Sequence, residues 1–252
     1  MENEESAGSI PSTKINIHTA KTKEIKEGAI FVADSHYPHH GDAFLMLLKK
    51  LESGEIVTPQ LFLMGDNFDL LFGYNNYIQS FSSEAILLLQ QLSTKFEIYY
   101  FEGNHDFLLT EIFPYIKVYP RESQPVIFQL GDQRAGLSHG DRYALGWKYN
   151  LYCRIQRSRW FFKLLNPFGK WLIDQQIAKM KQKNICHPMQ NFEERVEAIL
   201  ANYGDADLVI EGHYHEGRTV GKYISLPSLA CQKQIGVVRD GKLVFESLKN
   251  YS

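Results

Sequence analysis

No stretch of this 252-residue chain stays apolar for the roughly 18 residues that a helix needs to cross a bilayer, so a helical membrane span is excluded. Residues 1–14, MENEESAGSIPSTK, have neither a basic start nor an apolar run, which argues against a secretory signal peptide. Residues 1–26 are expected to form a flexible tail, with at most a short strand over 14–18. Cysteine is scarce: Cys153, Cys186 and Cys231 are the only three. An odd number without paired spacing excludes a disulfide framework and predicts reduced thiols in a cytoplasmic protein, packed as small apolar side chains. An excess of charge of either sign is missing as well. Lys and Arg number 27, Asp and Glu 29, and the net charge of -2 gives no whole-chain attraction to nucleic acid. There is no internal repeat. What the chain does have is 44% hydrophobic residues, enough for a sizeable core in one domain.

The charge is distributed unevenly. Between residues 142 and 184 ten Lys and Arg face a single acid, Asp174, a local charge of +9 that leaves −11 for the remainder. Trp147, Trp160 and Trp171, every tryptophan of the chain, lie in the same window. Trp160, Phe161 and Phe162 are adjacent, and neighbours on a helix point about 100° apart, so one packing face cannot take all three. A basic, aromatic helix fits a phosphate-bearing or membrane surface, where Lys and Arg lay their stems on apolar material and keep their heads in water.

Elsewhere the pattern is strand and helix in alternation. Short apolar runs predict strands at 29–33, 60–64, 97–101 and 208–210. Hairpins are predicted at 125–130 with 134–138 around Gly131 and Asp132, and at 234–238 with 243–246 around Asp240 and Gly241, beside a strand at 223–226. Helical spacing predicts helices at 42–51, 83–92 and 193–202. The basic window adds two more, 146–162 and 167–183, the second opening on Asn166 and Pro167. The expected class is therefore α/β of mixed (α+β) type, with helices flanking a mixed sheet or two packed sheets. A helical insertion at about 142–203 interrupts a single domain of residues 27–252.

Five short stretches are built alike, from glycine or a small residue beside Asp, Asn and His. They are DSH (34–36), GDN (65–67), GNHD (103–106), HGD (139–141) and GHYH (212–215). Each follows a predicted strand, where open sheets gather their site residues. Their side chains, Asp34, His36, Asp66, Asn104, His139, His213 and His215, are nitrogen and oxygen donors of the kind that suit Mn, Fe, Ni or Zn. Seven donors are too many for one ion and fit two, about 3.5–4 Å apart, with one carboxylate between them. His39 and His40 read as a solvated loop, and His18 and His187 lie outside the pattern.

In this order the motifs resemble those of the calcineurin-like metallophosphoesterase superfamily over about residues 30–246. The resemblance implies a four-layer αββα sandwich carrying two divalent metal ions, with manganese the expected one and Fe, Ni or Zn alternatives. It implies that Asp34, His36 and His215 hold one ion, that Asn104, His139 and His213 hold the other, and that Asp66 bridges them. His105 takes the catalytic role of a histidine that binds or protonates at the phosphate. Asp69 and Asp106 are expected to orient a ligand or His105.

The insertion also resembles, in place and character, the helical lid of the UDP-2,3-diacylglucosamine pyrophosphatase (hydrolase) family of lipid A synthesis, and GNHDFLL (103–109) is similar to that family's GNRDFLL. His105 stands where that family often has Arg. This resemblance implies a lid that grips an acylated UDP-sugar at the inner face of the cytoplasmic membrane, with Arg157, Lys163, Lys179 and Lys181 as candidate substrate contacts. Hydrolysis would give UMP and 2,3-diacylglucosamine 1-phosphate. Two alternatives stay open: a phosphatase or phosphodiesterase acting on another, soluble phosphoester, and a membrane-recruited scaffold with a structural metal site. The sequence sets no oligomeric state.

Overall fold

The computed structural model describes residues 23–143, 146–158, 160, 169–186 and 189–251. The predicted strand at 14–18 and most of the predicted tail lie outside them. The described elements begin with β1 (Lys23–Glu24), β2 (Ile30–Val32), α1 (Ala43–Ser53), β3 (Gln60–Leu63), β4 (Leu71–Phe72), α2 (Asn76–Ser80), α3 (Ser83–Leu92) and β5 (Glu97–Phe101). They continue through β6 (Asp106–Phe107), β7 (Lys117–Tyr119), β8 (Val126–Leu130), β9 (Gln133–Ser138), α4 (Gly146–Gln156), α5 (Gly169–Gln182) and α6 (Phe192–Leu200). The last are β10 (Leu208–Glu211), β11 (Arg218–Val220), β12 (Tyr223–Ser225), α7 (Leu229–Gln232), β13 (Gln234–Arg239) and β14 (Lys242–Ser247).

Two six-stranded sheets face each other, ordered β14-β13-β2-β3-β5-β7 and β1-β8-β9-β10-β12-β11. Their inner faces meet through aromatic rings: Phe31 stacks on Phe62 with centroids 4.4 Å apart, Phe62 on Tyr99 at 4.8 Å, and Phe128 stands edge-on to Phe62 and Tyr99. β2, β3 and β5 are buried on both sides, which explains why they read as unbroken apolar runs rather than alternating ones. The outer face of the first sheet is covered by α1 and α3. α1 buries Phe44, Leu47, Leu48 and Leu51, one helical stripe, and ends at Gly54 in the left-handed conformation that glycine reaches without strain. The second sheet is covered by α6, whose Phe192, Val196 and Ile199 pack on Val209 and Tyr223. The layers are helix, sheet, sheet, helix, the arrangement the family resemblance implies.

Register positions the site. Val32 pairs with Leu63, Leu63 with Tyr100, and Ser138 with Glu211, so the parallel strands β2, β3 and β5, and likewise β9 and β10, end level. All five motif loops leave from those carboxyl ends.

Three expectations need correction. Residues 23–26 are not tail, since Lys23 and Glu24 pair in parallel with Phe128 and Gln129 at the sheet edge. The cysteines are not all reduced: Cys186 and Cys231 form a disulfide with Cα atoms 5.5 Å apart, and only Cys153 is a buried free thiol. The fold, rather than local spacing, brings that pair together across 45 residues of sequence. Finally, the helix expected over 146–162 is broken at 157–158: α4 ends at Gln156, Trp160 is again helical, and residues 159, 161 and 162 lie outside the described residues, as do 167 and 168 of the helix expected over 167–183.

Candidate metal centre

The residue types that build the loops also bend them. Asp34, His36, Asp66, His213 and His215 all hold positive φ, between 46° and 62°, a region that non-glycine residues seldom occupy. Backbone strain of this kind costs about 1–3 kcal/mol per residue and gathers at functional sites. Two glycines permit the close packing behind it. A Cβ on Gly65 would overlap the His139 imidazole, and one on Gly103 would overlap the Asp66 carboxylate.

The seven predicted donors converge. Ligand atoms of Asp34, His36 and His215 lie within 4.8 Å of one another, as do those of Asp66, His139 and His213. Asp66 belongs to a further group with His36 and His105, so it stands between the two sets. Asn104 joins the second set, its Oδ1 3.3 Å from His139 Nε2. His215 Nε2 is 3.1 Å from Asp34 Oδ1, and the other Asp34 oxygen accepts the His213 amide at 2.8 Å.

Three imidazoles are aimed by the backbone. Carbonyls only accept, so His139 Nδ1 donates to Met64 O (2.9 Å), His215 Nδ1 to Ile185 O (3.0 Å) and His105 Nδ1 to Asp69 O (2.7 Å). Each Nδ1 is thereby occupied, which leaves Nε2 as the nitrogen available to the centre. Asp69 therefore serves His105 through its carbonyl, while its carboxylate takes bonds from His39 N (2.7 Å) and His40 Nδ1 (2.6 Å). His39 and His40 are half-buried against Asp69, which corrects the solvated-loop expectation. Asp106 accepts from the amides of Asp66 (2.9 Å), Asn67 (2.7 Å) and Gly103 (2.9 Å) and from Tyr100 Oη (2.6 Å), tying the GDN loop to the GNHD loop.

The electrostatics show carboxylates and imidazoles held in close mutual dependence. Burial alone would raise the Asp66 carboxyl, but His105, His139 and His36 hold it well below the usual range. Burial would lower His139, yet the Asp66 and Asp34 carboxylates push it up to about 9. Burial carries His36 down to about 3, and burial with the His139 charge carries His213 down to about 4. Asp106, buried and repelled by Asp66, rises to about 7. Asp34 Oδ1, fully buried and 3.1 Å from His215 Nε2, has no hydrogen-bond partner. Leaving such an atom unmatched costs about 1–3 kcal/mol. A divalent cation bound by carboxylate and imidazole would satisfy it, so the donor set fits the metal pair.

The centre opens into a cavity of about 710 Å³. Its wall includes Lys183 and Arg195, two cations that no motif marks in the sequence, together with Ile185 and Met189. Lys183 is one of many basic residues in its window, and Arg195 follows Glu193 and Glu194 in what reads as a solvated helix turn. Of the predicted substrate contacts, Lys179 and Lys181 are exposed on α5 and do not line this cavity, and Lys163 lies outside the described residues. Arg157 is buried, with Nη2 on Gly103 O at 2.6 Å, and it lines a separate cavity of about 360 Å³ behind the GNHD loop.

Comparison with known proteins finds relatives of this chain. The chain is 26% identical over 197 residues to the UDP-2,3-diacylglucosamine hydrolase of Aeromonas salmonicida (strain A449), covering 74% of this chain and 76% of that one. It is 28% identical over 200 residues to the protein of that name from Shewanella loihica, covering 74% and 80%. Among solved structures it matches Yfce, a phosphoesterase from E. coli, at 16% identity and a TM-score of 0.46, covering 89% of this chain and 94% of that one. The calcineurin-like phosphoesterase family model matches residues 29–217, well over half of the sequence. The chain belongs to the calcineurin-like phosphoesterase family.

Proposed function

We propose that the chain hydrolyses the pyrophosphate bond of UDP-2,3-diacylglucosamine, giving UMP and 2,3-diacylglucosamine 1-phosphate. Family membership makes it a metal-dependent hydrolase, and its Asp and His clusters are the candidate ligands for the family's dinuclear site. The observation that carries this reading is the make-up of the cavity, where the metal donors share one space with Lys183, Arg195, Ile185 and Met189. Two cations suit a diphosphate, and the apolar residues suit the start of an acyl chain. The names of the relatives support the same substrate.

In this reading Asp34, His36 and His215 would hold one ion, Asn104, His139 and His213 the other, and Asp66 both, with manganese the metal of choice. Bound there, the pair would supply an activated water and neutralise charge on the phosphoryl oxygens. The chain's own groups do the rest. Lys183 and Arg195 bind the diphosphate and orient it. His105, with Nδ1 fixed on Asp69 O, presents Nε2 toward the phosphorus and handles the proton of the departing sugar phosphate. Water oxygen joins the nucleoside-side phosphorus as the P–O bond to the sugar phosphate breaks.

Helices α4 and α5 form the lid in this proposal, and its outer side meets the inner face of the cytoplasmic membrane. Trp147, Leu151 and Ile155 of α4 lie on one exposed stripe beside the exposed Lys148 and Arg154. The test is metal-dependent turnover of UDP-2,3-diacylglucosamine with products read by mass spectrometry, run beside bis-p-nitrophenyl phosphate. UMP and the diacylated sugar phosphate should appear, and Asp66→Ala should abolish both reactions. Turnover of the small ester alone would leave a phosphodiesterase of another substrate.

A further inference from the structure

Helix α4 has two faces. Trp147, Leu151 and Ile155 look outward, while Asn150, Cys153 and, just past the helix end, Arg157 look inward. The inward side ends on two arginine clamps. Arg157 is 8% exposed, and its Nη2 donates to Gly103 O at 2.6 Å while the guanidinium lies 5.1 Å from the Phe107 ring. The Gly103 amide is held from the other side by Asp106 Oδ1 at 2.9 Å. The carbonyl that Arg157 holds belongs to the peptide leading into Asn104 and His105. The second clamp is Arg121, which donates from Nε to Asp141 Oδ2 (2.6 Å), from Nη2 to Asp141 O (3.0 Å) and also to Asn150 Oδ1 on α4. Asp141 ends the HGD loop that carries His139. One helix is thus tied to both loops that supply Asn104, His105 and His139.

The geometry points to Arg157 as a positioning residue that acts through the Gly103 carbonyl on Asn104 and His105, and not as a contact for substrate. Its guanidinium lies behind the loop, beside Glu102, and does not line the cavity that holds the donors. Gly103 has nowhere to retreat, because even a methyl group there would overlap Asp66. Losing the clamp frees the Gly103 carbonyl, part of the Gly103–Asn104 peptide, and leaves Gly103 held only through its own amide in the preceding peptide. Asn104 then shifts relative to Asp66, and His105 is left to its amide bond to Asp66 Oδ1 (2.8 Å) and its Nδ1 bond to Asp69 O (2.7 Å). A misplacement of about 1 Å in a reacting group costs on the order of 100-fold in rate. The inference rests on the reading of Asn104 and His105 as working groups of the centre.

The experiment compares Arg157→Met and Arg157→Lys on the full chain, with UDP-2,3-diacylglucosamine and with bis-p-nitrophenyl phosphate. Arg157→Met should lower kcat about 100-fold on both substrates with KM little changed, and Arg157→Lys should recover about tenfold of it. Bound metal per chain should stay that of the parent. In the metal-free protein, hydrogen exchange of the peptide spanning 101–107 should quicken in Arg157→Met and slow again in Arg157→Lys. A loss seen only as KM for the UDP-sugar would make Arg157 a substrate contact and overturn the proposal. A fall in melting temperature and metal content with kcat per bound metal unchanged would reduce it to scaffolding, and also overturn it. His105→Ala serves as the reference: if it leaves both rates intact, the reading of the centre fails rather than the role of Arg157.

Discussion

Glu102 shows what burial does to a single group beside the centre. Burial pushes its carboxyl up to about 7, against partial relief from the Leu109 amide at 2.8 Å and the Arg157 charge. The folded chain therefore holds this proton more tightly than the unfolded chain, whose carboxyl titrates at the ordinary 4.5. The sign follows: the contribution to stability is full below 4.5 and is lost as pH rises through about 7. The span corresponds to about 3 kcal/mol at 1.36 kcal/mol per unit. Glu102→Gln keeps the acceptor for Leu109 and cannot ionise. In urea titrations of the metal-free protein it should be the more stable form at pH 8 and equal to the parent at pH 4; parallel curves at both pH values would refute the assignment. At this scale the sequence is informative wherever function needs a short polar side chain beside glycine. Asp34, His36, Asp66, Asn104, His139, His213 and His215 stand out by their spacing, and the fold brings them together. Lys183 and Arg195 do not stand out, because a cation that lines a cavity has the same neighbours in sequence as one in water.

Among the elements, legibility follows length and periodicity. Ser83–Leu92 and Glu97–Phe101 have the bounds expected of them, since each carries a full stripe or an unbroken apolar run. Lys117–Tyr119, Leu71–Phe72 and Asp106–Phe107 escape detection, being two or three residues long and lacking any period. The Cys186–Cys231 bond is equally invisible, because its partners meet only once α7 is seated. That bond braces the cavity wall. Cys186 follows Ile185, whose carbonyl holds His215, and α7 sits under Asp34 through Leu229 N on Ala33 O (3.0 Å) and Ala230 N on Asp34 O (3.2 Å). Closing a loop across a sequence separation of 45 stabilises by about 4 kcal/mol on the chain-entropy account. Cys186→Ser should lower the unfolding free energy by that order in denaturant titration. It should also raise KM for the acylated substrate more than for the small ester; an unchanged denaturation midpoint would show that the bond constrains nothing.

For the whole molecule, the decisive asymmetry is the +9 segment within a chain of net charge -2. Overall charge conceals it, and no helix among the described residues is long and apolar enough to span a bilayer. Attachment to a membrane would therefore be electrostatic and interfacial. The protein should sediment with vesicles containing anionic lipid and stay behind with neutral ones, and added salt should release it, since screening shortens to about 8 Å at physiological ionic strength. Leu151→Asp and Trp147→Asp, both on the exposed stripe of α4, should weaken the attachment without touching hydrolysis of a small ester. Equal sedimentation with both vesicle types would remove the membrane from the proposal.

The two glycines behind the centre have a consequence for how this scaffold can be altered. Positions 65 and 103 accept a hydrogen atom and nothing larger, because His139 and Asp66 already occupy the space a side chain would need. Lys183 and Arg195 are under no such restriction: each lines the cavity without holding a metal donor in place. An engineer, or random mutation over long times, thus meets a rigid reaction chamber with a replaceable front, and new phosphoesters can be admitted by rewriting the front alone.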